Sequence, residues 1–189
     1  MKRRDVLKYG AISIMGAPLL STVLFGSTTV PQAILNSYNP VFFTPDQLDL
    51  LKAITDTILP KTDSPSASEV GVPEKIDHMI PVLLIREDRR DYLSRFKQLE
   101  TYLLTQANGN DFKSLSPKER FSILDTLSTS SSNNLKQSRL VLWDLKGKTV
   151  DYYRKSQIVA TEFLNYLPVP GYYDPCISLQ EAGGKAWAI

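Results

Sequence analysis

The stretch Phe43-Thr44-Pro45-Asp46-Gln47-Leu48-Asp49-Leu50-Leu51-Lys52-Ala53-Ile54-Thr55-Asp56-Thr57-Ile58-Leu59-Pro60 is written as a helix from end to end. Thr44 is a capping residue, Pro45 suits the first helical position, and Gln47 stands three after Thr44, which makes a capping box. Phe43 before the cap and Leu48 at the fourth helical position are placed to form a hydrophobic staple. Leu48, Leu51, Ile54 and Ile58 then recur at helical spacing and give one apolar face. Pro60 marks the end.

The same grammar continues outward. Lys61 to Ser66 is a turn-rich loop. A short helix is predicted over 68–80, opening at Ser68 or a neighbour and carrying Ile76, Met79 and Ile80. A longer helix is predicted over 86–107, with Tyr92, Phe96, Leu99 and Leu103 on one face. Asn108-Gly109-Asn110 stops it. Ser116-Pro117-Lys118-Glu119 is a second capping box, followed by Phe121, Leu124 and Leu127 at spacings of three. Ser128 to Asn134 is a polar, low-complexity loop. From Leu135 to Tyr166 helical patterns dominate, with Leu135, Leu142 and Leu145 on one face and Gly147 as a candidate break. No convincing alternating strand and no repeat is present. The chain is expected to be mainly α: one compact helical domain with an irregular Pro/Gly/aromatic-rich C-terminal tail.

Ahead of that domain, Met1-Lys2-Arg3-Arg4-Asp5-Val6-Leu7-Lys8 precedes an uncharged run whose apolar heart lies between Ala11 and Phe25. A basic start, an apolar middle and a polar exit form an export signal. The paired Arg3 and Arg4, with Leu7 and Lys8 in order behind them, favour the twin-arginine route, which carries proteins already folded. Lys2 and Val6 are weaker fits to that pattern. The apolar segment falls short of the roughly 20 residues that span a bilayer. Pro31-Gln32-Ala33 is an imperfect cleavage site, so an uncleaved anchor stays open. The expected division is 1–33 for the signal and 34–189 for the domain.

Composition narrows the chemistry. About 150 residues follow the signal, one domain's worth and enough for a core. The net charge is +2, and its basic side is concentrated in the signal. No clustered basic face points to nucleic acid. There is one cysteine, Cys176, and one histidine, His78. A cysteine-built zinc site and a conventional triad are therefore poorly supplied. No Gly-rich phosphate loop occurs; Gly183-Gly184 is an isolated pair. His78 adjoins Asp77, but neighbours on a helix do not face each other, so an exposed or interface histidine is the simpler reading. Asp46, Asp49 and Asp56 read as a solvated helix face and first turn.

Three segments taken in order carry a resemblance. They are Phe43 to Pro60; Ser64-Pro65-Ser66-Ala67-Ser68-Glu69-Val70-Gly71-Val72-Pro73-Glu74-Lys75-Ile76-Asp77; and Ala160-Thr161-Glu162-Phe163-Leu164-Asn165-Tyr166-Leu167-Pro168-Val169-Pro170-Gly171-Tyr172-Tyr173-Asp174-Pro175-Cys176, with Gly184-Lys185-Ala186-Trp187-Ala188 closing the chain. The set resembles the gluconate 2-dehydrogenase subunit 3 family, the small (gamma) subunits of membrane-associated sugar and alcohol dehydrogenases. It departs from the family pattern at Gln157, Val159 and Pro175. The resemblance implies a subunit without catalysis of its own. It implies a large flavoprotein partner of the glucose–methanol–choline type that holds FAD and oxidises a sugar or polyol, often with a cytochrome c subunit as electron acceptor. The small subunit is implied to help that partner mature and to carry it through the twin-arginine translocon to the periplasm, in some cases at the membrane.

Within that reading Cys176 is a candidate for an intersubunit disulfide or an interface contact, against the plain alternative of a buried small apolar residue. Tyr172, Tyr173 and Trp187 are candidate partner contacts, because aromatic residues anchor interfaces; core packing is the alternative. The tail from Pro168 to Ile189 has no obvious means to fold alone. The rival reading of the whole chain is an independent exported helical binding or structural protein without an enzyme partner.

Overall fold

The computed structural model describes residues 38–167, 171, 176–181 and 183–188. Five α-helices run through it: α1 Pro45–Ile58, α2 Val72–Leu83, α3 Arg86–Gln106, α4 Pro117–Thr129 and α5 Lys136–Arg154. A π-helical turn, Val159–Phe163, follows. Among the described residues there is no strand, only one isolated bridge between Asn165 and Trp187. The mainly α expectation holds.

Helix ends follow the local sequence. The amide of Gln47 donates to Thr44 Oγ1 at 3.3 Å and the amide of Thr44 donates to Gln47 Oε1 at 3.2 Å. Ser116 and Glu119 repeat the reciprocal arrangement at the start of α4. Hydrogen bonding to Ser116 holds the Glu119 carboxyl below its usual range. At the end of α3, Asn108 takes a left-handed φ of 53°. Its amide donates to the Thr105 carbonyl at 3.2 Å and that of Gly109 to the Leu104 carbonyl at 3.1 Å, which closes the last turn as a Schellman motif. Arg89 performs a similar service for α2. Its guanidinium donates to the carbonyls of Pro81 and Leu84, which the helix itself leaves unpaired.

α5 is the hub and packs against each of the other four helices. Leu142 and Leu145 are fully buried there, facing Leu51 and Ile54 of α1, Ile76 and Ile80 of α2, Phe96 and Leu99 of α3 and Leu127 of α4 within one cluster. Each such side chain contributes roughly 1.5–3 kcal/mol of burial. Phe43 and Leu48, the expected staple pair, are both in this cluster.

Three expectations change. α2 starts at Val72, not at Ser68, because the Ser68 amide and hydroxyl are taken by Asp56 at 2.8 and 2.6 Å and Gly71 sits at φ 74°. Asp56 is therefore not a merely solvated carboxylate; it ties α1 to the next loop. Phe121 is 61% exposed and outside the core, while Leu124 and Leu127 are inside it. Gly147 does not divide α5, which is continuous across it.

Candidate functional site

The described parts of the molecule have two built-up ends. At the entry, α2 places Asp77 wholly inside the fold. Its carboxylate receives the amides of Val41 at 2.7 Å, Phe42 at 3.1 Å and Phe43 at 2.7 Å, and the Tyr38 hydroxyl at 2.7 Å. The partners lie 34 to 39 residues away in sequence. A buried carboxylate is costly unless its lone pairs are filled, and here four donors fill them. Burial and the bond to Asp77 push the Tyr38 phenol well above its ordinary pKa. His78, one step along α2 and so about 100° around the helix, is exposed. Asp77 and His78 thus form no acid–base pair.

Behind this entry the loop from Leu59 to Gly71 is knitted to the core. Tyr153 of α5 donates its hydroxyl to the Pro65 carbonyl at 2.7 Å, and Ala67 is fully buried. On the far side of α5, the Tyr92 hydroxyl of α3 donates to Asp144 at 2.9 Å. Burial, then the nearby Asp144 carboxylate, raises the Tyr92 phenol far above its usual range.

At the other end the chain returns on itself. The amide of Asn165 donates to Ala186 at 2.8 Å and that of Ala188 to Asn165 at 2.9 Å. Lys185 donates to the Glu162 carbonyl of the π-helical turn at 2.9 Å, and the Asn165 side chain donates to the Lys185 carbonyl at 2.9 Å. Ser178 and Glu181 make a capping box, and the Gly183 and Gly184 amides close the turn onto Gln180 and Leu179. These described pieces of the tail are held by local hydrogen bonds. The two segments that carried the resemblance at this end, Ala160 to Leu167 and Gly184 to Ala188, meet each other.

Trp187 sits in that return, 43% exposed, with its carbonyl accepting from Arg154. Cys176 is exposed. Tyr172 and Tyr173, and Arg3, Arg4 and Leu7 of the signal, lie outside the described residues. Of the expected site residues, the structure describes only Cys176 and Trp187. What the sequence reading missed is Asp77 as an anchor. Its only signal was an acidic residue in an otherwise apolar helical series, between Ile76 and Ile80.

Among the described residues no group of His, Cys, Asp and Glu is arranged to hold a metal ion. No described helix is long and apolar enough to cross a membrane. No curated protein and no solved structure matches the chain. One family does: gluconate 2-dehydrogenase subunit 3 matches residues 45–171, from the first residue of α1 into the tail. The match covers well over half of the chain, including Asp77, the hub helix and the π-helical turn, and so the chain belongs to the gluconate 2-dehydrogenase subunit 3 family.

Proposed function

We propose that this chain is the non-catalytic small subunit of an exported FAD-dependent sugar or polyol dehydrogenase. It binds a large flavoprotein of the glucose–methanol–choline type and supplies that partner with a twin-arginine signal through Arg3, Arg4 and Leu7. The complex works in the periplasm, with a cytochrome c subunit as a further member. The observation that carries the reading is the family match across the helical domain, since the family is by its description one subunit of a dehydrogenase. Two further observations support it. Asp77, the carboxylate beside the chain's one histidine, is committed to four structural donors. The described residues form a helical bundle, not the strand–glycine loop–helix unit that cradles a dinucleotide, which is in keeping with a partner that holds the FAD.

Coexpression with the large subunit, followed by cell fractionation, tests this. Flavoprotein and dehydrogenase activity are expected in the periplasm with the native chain and in the cytoplasm when Arg3→Lys and Arg4→Lys are combined. Periplasmic flavoprotein in the absence of this chain overturns the reading.

A further inference from the structure

α5 is apolar on two opposite faces. The inner face forms the core hub. The outer face carries Leu140, Trp143, Gly147 and Val150, spaced at three, four and three, with the three side chains 37%, 50% and 42% exposed. Such spacing places all four on one stripe. Beside Leu140 the stripe opens into a cleft of about 270 Å³ between α5, α3 and the end of α2, lined by Leu83, itself 58% exposed, by Tyr92 and Arg95, and by the Asp144–Lys148 pair. Continuous exposed apolar surface of this kind marks an interaction site.

Three features of the stripe go beyond exposure. Trp143 is braced: the Arg139 guanidinium lies 5.6 Å from its ring centroid and is itself tied to the Ser130 carbonyl. A braced indole loses little freedom on docking. Gly147 is a mid-helix glycine with ordinary φ, and a Cβ there meets nothing within 4 Å of this chain. A glycine in that position weakens a helix relative to alanine, and the fold has no internal use for it. It leaves a notch in the stripe. Finally, the flanks are electrically one-sided. Asp144 and Asp151 are neutralised by Lys148 and Lys155. Among the described residues Lys136, Arg139, Lys146 and Arg154 have no carboxylate partner.

We infer that this outer face of α5, with the Leu83–Leu140 cleft, is the docking surface for the large subunit, and that the matching surface on that partner is an apolar ridge edged by carboxylates. The inference rests on the proposed function for the partner's identity. Charge selects among occupants. A second copy of this chain would set basic flanks against basic flanks, which costs affinity. The chain's own first residues, Lys2, Arg3, Arg4 and Lys8, are cationic too. An anionic lipid surface satisfies the charge but not the shape, because a cleft and a notch call for side chains that enter them.

The test is co-purification of the full chain with its coexpressed, tagged flavoprotein. Trp143→Glu with Val150→Glu is expected to weaken capture at least tenfold, and Leu104→Glu, an equally exposed apolar position on α3, to leave it unchanged. Gly147→Leu separates docking from folding, because it is expected to raise the thermal midpoint of the isolated chain while lowering capture. Raised salt is expected to weaken the native pair. Undiminished capture of both α5 variants overturns the inference while leaving the proposed function standing. Failure of the native chain to capture the flavoprotein removes the proposed function itself, and the inference with it. Sedimentation with phosphatidylglycerol vesicles that depends on Trp143, alongside unaltered flavoprotein capture, assigns the face to a membrane and overturns the inference.

Discussion

The entry of the domain and its C-terminal return are both places where chain is tied back onto helices, but they are tied in different media. At the entry, one buried carboxylate gathers three amides and a phenol in the interior. At the return, backbone pairs and single side-chain bonds from Asn165 and Lys185 do the work at the surface. A hydrogen bond exposed to water contributes about 0.5–1.5 kcal/mol, whereas a buried charge stripped of its partners, or partners stripped of their charge, costs several. The difference separates a permanent fixture from an end that a binding partner is able to rearrange.

The largest effect expected is from Asp77→Ala, which leaves three amides without an acceptor and the Tyr38 hydroxyl with only the Glu74 carbonyl. A loss of about 3–5 kcal/mol in unfolding free energy is expected from denaturant melts, on the scale of removing one side of a buried charged network. A loss under 1 kcal/mol would make the two ends equivalent. Next is Arg89→Ala, which uncovers two carbonyls at the end of α2; about 1–2 kcal/mol is expected, between the two extremes. Smaller again is Asn165→Ala, expected to change global stability by less than about 1 kcal/mol. Amide exchange at Ala188 should stay unchanged, because its N–H is accepted by the Asn165 backbone carbonyl, which the substitution keeps; faster exchange there would show that the bridge depends on the side chain.

The ends also differ in how they meet pH. The Tyr38 phenol titrates higher in the fold than its unfolded value near 10, so its neutral form is favoured by folding. That stabilisation is present below about pH 10 and is lost as pH climbs from there toward the folded value. Glu181 is the reverse case. Its bonds to Ser178 depress the carboxyl, so its contribution is present above about pH 4 and fades as pH falls through the folded value. Alkaline melts should therefore report on the entry, and Tyr38→Phe should remove part of their pH dependence; a slope unaltered by that change would place the alkaline response elsewhere, at Tyr92 first.

Much of the bundle was legible because it is local. A capping box needs only four residues, and both Thr44 and Ser116 form theirs as written. Phe121 lies outside the core for a geometric reason. Repeats of three drift around a helix of 3.6 residues per turn, so Phe121 and Leu127 stand about 120° apart and cannot share one face. Gly147 was misread because glycine costs a helix only about 1 kcal/mol, which Leu145 and Thr149 on the buried face offset. Asp77 was out of reach in a different way. Its place among Ile76 and Ile80 hints at burial, but nothing within a few residues of it says which amides it will meet, since those lie 34 or more residues upstream. The family resemblance was legible for the opposite reason: it depends on an ordered set of short segments and needs no long-range pairing.

The Asp77 cluster also has a mechanical reading. A pull on the chain ahead of Tyr38 does not arrive first at the cap of α1. It arrives at α2, through amides 41, 42 and 43 and the phenol, all loaded side by side on one carboxylate. Bonds loaded in parallel share the force, as in a buckle, whereas bonds loaded in series open one by one, as in a zip. Traction from the leading end should therefore be borne by the assembled bundle and released in a single step. With Asp77→Ala, force spectroscopy from that end should instead show residues 38–44 peeling away at low force before the bundle yields.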